Sequence, residues 1–206
     1  MKIAILGAGN IGGNLGKRFA EQGHTIVFGV RDPNKAAAAV SACGAKASAT
    51  NVKDAAAAGD VVVLAVPGSV AQAAVKDAGD LAGKILIDAT NALDFSTGGP
   101  QVAVATSQAE ELAKLTSAKV VKAFNTCGAE HILHPTVGGV PVDVFLCGDD
   151  ADAKKTVAGL SEAIGFNPVD MGPLVNARFA EHLATGWIWL AMKGGAGRNI
   201  AFKLMR

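Results

Sequence analysis

MKIAILGAGNIGG, residues 1–13, is the stretch on which the reading of this chain turns. KIAIL is short, apolar and rich in β-branched residues, so it reads as a strand covered on both faces. The glycines that follow, Gly7, Gly9 and Gly12, fall in the G-x-G-x-x-G pattern Gly7-Ala8-Gly9-Asn10-Ile11-Gly12. Alone the pattern says little. Here it follows a strand, opens a helical stretch from Ile11 to Gln22 and leads to a second apolar run, TIVFGV, which is the context a dinucleotide-binding turn requires. Gly7 permits the tight turn, Gly9 lets the backbone approach a pyrophosphate, and Gly12 lets the helix sit close to the strand. The N–H groups of residues such as Asn10 and Ile11, at the helix N-terminus, then face the phosphates.

The end of the second run, GVRDP, sets which dinucleotide is expected. Gly29 or Val30 stands at the strand tip, where an acid would accept a bond from the ribose 2′-OH of NAD, and neither can do so. Arg31 comes next and can meet a 2′-phosphate with its planar, permanently charged fork, and Lys35 lies one helical turn onward. These residues favour NADP. Asp32 then serves as N-cap of the next helix with Pro33 at its first position, although Asp32 as ribose acceptor is the competing reading.

Outward from this unit the pattern continues. DVVVLAVP, KILIDAT, KVVKAFN and VDVFLCG read as further buried strands, separated by helical stretches at Asn34 to Ala42, Val70 to Lys76, Gln108 to Leu115 and Ala151 to Ile164. The expected fold is therefore α/β, a doubly wound parallel sheet of the Rossmann type with a short C-terminal helical elaboration. The whole chain, 1–206, reads as one domain: residues 1–125 form the dinucleotide-binding core, and residues 126–206 an elaboration over an acceptor pocket. NALDFSTGGPQVAVATS, residues 91–107, reads as a long loop covering a ligand. Ligands in such sheets lie outside the carboxyl ends of the strands. That rule adds Ala65, Val66, Pro67, Ala89 and Asn91 to the cofactor contacts and points to Asn125 and Thr126 as polar groups meeting a second ligand.

Composition limits the alternatives. A formal charge of +1, with scattered basic residues, gives no reason to expect nucleic acid. Cys43, Cys127 and Cys147 are widely spaced, which suits a reducing, cytoplasmic setting rather than a disulfide framework. The apolar run Leu183 to Met192 is about half the length of a spanning helix, so no membrane is expected. The run from Phe179 to Met192, with Trp187 and Trp189, is apolar on nearly every face and predicts burial by more than one surface, as in a homodimer.

GAGNIG, FGVRDP, LAVP, IDATNAL, VVKAFNT, LCGDD, GFNPVDMGPLVNAR and IAFKLMR, in this order, resemble the small NADP-dependent oxidoreductases that reduce deazaflavin coenzyme. They are similar as well to the cytosolic domain of the six-transmembrane metalloreductases. The resemblance spans nearly the whole chain. It implies NADP in the glycine-rich site and a small-molecule redox coenzyme as partner, a deazaflavin or a flavin (FMN or FAD), laid against the nicotinamide. The family commonly has GSR after the second strand, where this chain has Gly29-Val30-Arg31, so Arg31 carries more of the 2′-phosphate recognition. Asn125 resembles the metalloreductase type.

The implied reaction is hydride transfer between rings, for which the cofactors supply the reactive atoms. No Ser/His/Asp order and no paired carboxylates are evident near the strand ends, so no catalytic acid or base is assigned. Cys127, His131 and His134 recur at i, i+4 and i+7, but Pro135 ends the segment and no fourth ligand is evident, so no metal is assigned and His131 is expected to line the second-ligand pocket. Two other functions compete. A β-hydroxyacid-type dehydrogenase would carry lysine and asparagine four apart, and here Gly197 follows Lys193 at that spacing. A non-enzymatic NADP-binding sensor would bind NADPH and pass hydride to nothing.

Overall fold

The computed structural model describes residues 1–205. β1 (Lys2–Leu6) leads through the glycine turn into α1 (Asn10–Glu21) and β2 (Thr25–Gly29). A 3-10 turn at Pro33–Ala36 precedes α2 (Ala37–Cys43), and β3 (Ala47–Thr50) and α3 (Val52–Ala58) complete this half. Then come β4 (Val61–Leu64), α4 (Gly68–Ala78) and β5 (Ile85–Asp88). Residues 91–107 are not wholly a loop, because β6 (Leu93–Asp94) and β7 (Gln101–Val102) pair as a hairpin within them. α5 (Gln108–Ala113), β8 (Lys119–Lys122) and α6 (Ala129–Leu133) follow. A second small hairpin, β9 (Thr136–Val137) and β10 (Val140–Pro141), leads into β11 (Asp143–Gly148), α7 (Ala151–Ala163), β12 (Asn167–Asp170) and α8 (Ala177–Met192).

The main sheet has eight strands in the order β12-β11-β8-β5-β4-β1-β2-β3. β3, β2, β1, β4, β5 and β8 run parallel. β11 adds antiparallel to β8, and β12 pairs with β11, so the sheet is continuous past residue 125. Successive side chains along a strand point to opposite faces, which sorts the core into two layers. Ile3 and Ile5 of β1 pack with Leu15 and Phe19 of α1 and with Val157 and Leu160 of α7. Ala4 and Leu6 pack on the other face with Ala55 of α3 and with Ala71 and Val75 of α4. Both faces are apolar because both are covered, which is why these strands read as continuous apolar runs.

α8 closes the far end. It buries Ala177, Ala180, Ala184 and Trp187, and leaves Phe179 62 % and Trp189 49 % exposed. Within the chain it is thus covered on one side only. Among the described residues no helix is long and apolar enough to cross a membrane.

Candidate functional site

The sheet reverses its winding between β1 and β4, and the carboxyl ends of β1, β2 and β4 border a cavity of about 720 Å³ at that point. Gly7, Ala8 and Gly9 line it from the first turn, Val30, Arg31, Asp32 and Lys35 from the segment after β2, and Val66 and Pro67 from the end of β4. Val52 and the α4 residues Val70, Ala73, Ala74 and Asp77 form its remaining wall.

The turn is shaped by what a side chain would strike. Gly7 has φ +106°, and a β-carbon there would come within 2.4 Å of the Ala65 carbonyl oxygen. At Gly12 a β-carbon would lie 2.0 Å from the Gly7 carbonyl oxygen, so α1 could not start where it does. Gly9 differs: nothing lies within 4 Å of its β-position, and the residue borders the cavity. α1 begins with no side-chain cap and no acid in its first turn. Its first N–H groups therefore lack helical partners and face the site with the positive end of the helix dipole. Open space above Gly9 and free N–H groups beside it suit a diphosphate.

The Asp32 side chain accepts a hydrogen bond from the Asn34 N–H at 3.1 Å and caps the turn that starts at Pro33. Arg31 and Lys35 are exposed, line the cavity and form no ion pair among the described residues. Two cations without partners stand where an anion can reach them, while the nearby acid is committed to the backbone.

The ends of β5 and β8 are built differently. Lys122, wholly buried, donates to Asp88 at 2.9 Å, to Glu181 of α8 at 2.8 Å and to the Thr90 carbonyl oxygen at 2.5 Å. Asp88 also accepts from the Thr90 N–H at 2.9 Å and hydroxyl at 2.7 Å, and Glu181 accepts from the Gln108 N–H at 2.8 Å. Burial pulls the Lys122 ammonium down, but the Asp88 and Glu181 carboxylates outweigh it and hold the group above its ordinary value. This corrects the expectation that no paired carboxylates stand near the strand ends. The available signal was a lysine inside an apolar strand, which must find an anion if the strand is covered on both faces.

Above this cluster Asn91 and Asn125 hold each other. The Asn91 amide donates to the Asn125 carbonyl oxygen at 3.0 Å, and the Asn125 amide donates to Asn91 Oδ1 at 2.9 Å and to the Ala180 carbonyl oxygen at 3.1 Å. Asn125 is aimed by an unusual neighbour. Phe124 has φ 62°, the only positive value outside glycine among the described residues, and its buried ring packs edge-on between Phe19 and Phe166. A bulky residue in that region costs of order 1–3 kcal/mol and persists only where its surroundings fix it.

Of the residues singled out in the sequence, Gly7, Ala8, Gly9, Arg31, Lys35, Val66 and Pro67 meet at the cavity. Asn10, Ile11 and Gly12, in the first turn of α1, and Ala65 and Ala89, just past β4 and β5, do not line it. Asn91 approaches from the side, its carbonyl oxygen 2.0 Å from where a Gly68 β-carbon would be. Thr126 and His131 are buried. His131 accepts a hydrogen bond from the Gly128 N–H through Nδ1 at 3.2 Å, and its ring lies edge-on to Trp187. Burial lowers its pKa below the usual histidine value. His134 is exposed, and among the described residues no cluster of three or more metal-ligating side chains forms. The cavity also draws in Asp77, Ala73, Ala74 and Val52, which the sequence reading missed because α4 and α3 enter the site by tertiary packing.

A mostly parallel sheet wound in this order, with a glycine turn and an open cavity at its switch point, defines a Rossmann-type nucleotide-binding protein. The family model for NADP oxidoreductases dependent on coenzyme F420 matches residues 2–92. The F420-dependent NADP reductase of Methanothermobacter thermautotrophicus is 34% identical over 202 residues, covering 89% of this chain and 86% of that protein. Metalloreductase STEAP3 of Rattus norvegicus is 35% identical over 181 residues, covering 87% of this chain, which spans only 36% of that relative. A crystal structure of a candidate F420-dependent NADP-reductase from Arthrobacter sp. FB24 superposes with a TM-score of 0.91 at 35% identity, each chain covered in full. The chain belongs to the family of coenzyme F420-dependent NADP oxidoreductases.

Proposed function

We propose that this protein is an oxidoreductase that transfers a hydride between NADP(H) and a deazaflavin coenzyme. The observation that carries this reading is the cavity in which open space over Gly9 lies beside two unpartnered cations, Arg31 and Lys35, in a chain whose full-length relatives are named as F420-dependent NADP reductases. When bound, the nicotinamide supplies the hydride and the tricyclic ring receives it. The residues of the chain bind, orient and exclude water. Gly7, Ala8, Gly9, Asn10, Ile11 and Gly12 form the pyrophosphate turn, and Arg31 with Lys35 holds the 2′-phosphate. Ala65, Val66, Pro67, Ala89 and Asn91 flank the nicotinamide side. Asn125, Thr126 and His131, all buried, build the acceptor side behind it.

The division into a core at 1–125 and a closing part at 126–206 belongs to the same proposal. So does a homodimer through the exposed apolar side of α8, supported by Phe179, Trp189, Leu190 and Met192. Sedimentation as a monomer at micromolar concentration would remove the dimer. The free thiols of Cys43, Cys127 and Cys147 support a cytoplasmic setting. The reaction is tested by steady-state turnover with NADPH against deazaflavin and free flavin side by side. Faster turnover of deazaflavin supports the coenzyme reductase, and flavin turnover with onward reduction of ferric iron supports the metalloreductase-like role. NADPH binding with no turnover of either ring would overturn the enzyme and leave the sensor.

A further inference from the structure

Val70, Ala73, Ala74 and Asp77 recur on α4 at i, i+3, i+4 and i+7, so they share one helical face, and all four border the cavity. The first three, with Val52 opposite, make an apolar slot. Asp77 ends it. α4 stops at Ala78, which places Asp77 in the last turn, where the negative end of the helix dipole disfavours a carboxylate. Among the described residues the Asp77 side chain is exposed and has neither a hydrogen bond nor an ion pair. Helix stability therefore gives no reason for an acid at this position, and neither does packing. Asp32, the other acid at the cavity, is already bonded to the Asn34 N–H.

The slot has a chemical occupant if the cavity holds NADP(H), the reading on which this inference rests. The 2′-phosphate is carried by the adenosine ribose, so a phosphate at Arg31 and Lys35 brings the attached purine to the neighbouring apolar wall. A carboxylate accepts hydrogen bonds and cannot donate them. Adenine carries an exocyclic amine at carbon 6, a donor. Hypoxanthine carries an acceptor oxygen there and has its donor on that edge one position away, at N1–H, so a carboxylate placed for the exocyclic amine meets an oxygen instead. We propose that Asp77 is a specificity-determining residue, which selects a 6-amino purine by accepting a hydrogen bond from its exocyclic amine. Selection of the base then sits on α4, apart from selection of the 2′-phosphate after β2.

The test is a comparison of equilibrium binding of NADPH and its hypoxanthine analogue, followed by calorimetry, with no acceptor present. The native protein is expected to prefer NADPH by about tenfold, the lower end of the worth of a hydrogen bond to a charged group at an open site. In Asp77→Asn the side-chain amide can turn to donate or accept, so the preference should fall to within about twofold. Asp77→Leu should weaken NADPH and bring the two dinucleotides to within about twofold of each other. Asp77 is on the surface, so circular dichroism should show all variants folded. Equal binding of the two dinucleotides by the native protein, or a preference that survives in Asp77→Asn, would overturn the assignment. A native protein that binds neither dinucleotide would overturn the cofactor reading and this inference together, which is a different result from equal binding.

Discussion

The two sides of the site handle charge in opposite ways. Around the cavity Arg31, Lys35 and Asp77 are exposed and have no protein partner among the described residues. Behind Asn91 and Asn125, by contrast, Lys122, Asp88 and Glu181 are wholly buried, and Lys122 is bonded to both carboxylates. The first side leaves its polar groups for a ligand to complete. The second pairs its charges within the protein, although Glu181 Oε2 and Asn125 Oδ1 keep no hydrogen-bond partner, and it ties the end of β5 to the end of β8 and to α8. The difference predicts that substitutions on the first side will cost affinity with little loss of stability, and those on the second will cost stability first.

The largest effect should come from Lys122→Met, which leaves two carboxylates buried without their cation. Loss of one partner of a buried pair costs about 3–5 kcal/mol, so urea denaturation should show a midpoint far below that of the native chain. A loss under about 1 kcal/mol would mean that the wall does not depend on the cluster. Gly12→Ala should be next, since its β-carbon must displace backbone rather than a flexible side chain. Overpacking of this kind costs about 1–3 kcal/mol, and because α1 must move away from the turn, NADPH affinity should fall as well. A variant as stable and as tight-binding as the native chain would show that the turn is loose.

Arg31→Ala breaks the comparison from the other side. NADPH binding should weaken by about 1.5–3 kcal/mol, the worth of a hydrogen bond to a charged group, with NADH binding and the urea midpoint nearly unchanged. Equal loss of both dinucleotides would make Arg31 structural and return the ribose to Asp32. The smallest effect concerns pH. Burial holds the folded-state pKa of His131 down, while Glu130 raises it and Arg198 lowers it. The unfolded chain therefore takes up a proton that the folded chain resists, and the stability contributed at neutral pH is lost as pH falls through roughly 6.5. His24 is lowered too, first by burial and then by the N-terminal ammonium. The drop in urea midpoint between pH 7.5 and 5.5 should accordingly shrink in His131→Asn without vanishing, and an unchanged drop would remove His131 as its source.

Much of the fold was legible because buried parallel strands are apolar on both faces and some of the segments between them begin at recognisable caps. Asp32 ahead of Pro33 is one such cap, and the structure uses it as read. β3 was missed because ASAT is an edge strand of small residues, only partly buried and without the β-branched run that marks the others. α3 was missed although Asn51 caps it through the Asp54 N–H at 2.9 Å, because its seven residues carry little apolar periodicity. β12, with Pro168 inside it, fits only because it stands at the sheet edge. In the site, the glycine turn and Arg31 were legible as neighbours of one cavity because the strand ends that carry them are marked in the local sequence. The Lys122 cluster joins residues up to 93 positions apart, Asp88 to Glu181, and spacing cannot reveal such a meeting. Asp77 escaped for the same reason.

The central claim is that a hydride leaves the nicotinamide and arrives at carbon on the acceptor ring. NADPH carrying deuterium at the transferable position of its nicotinamide, mixed with the protein and oxidised deazaflavin coenzyme in ordinary water, tests it directly by mass spectrometry of the reduced ring. The label is expected on the ring carbon, one deuterium for each NADPH oxidised. Reduced coenzyme that carries no deuterium, or NADPH that binds and stays unoxidised, would contradict it.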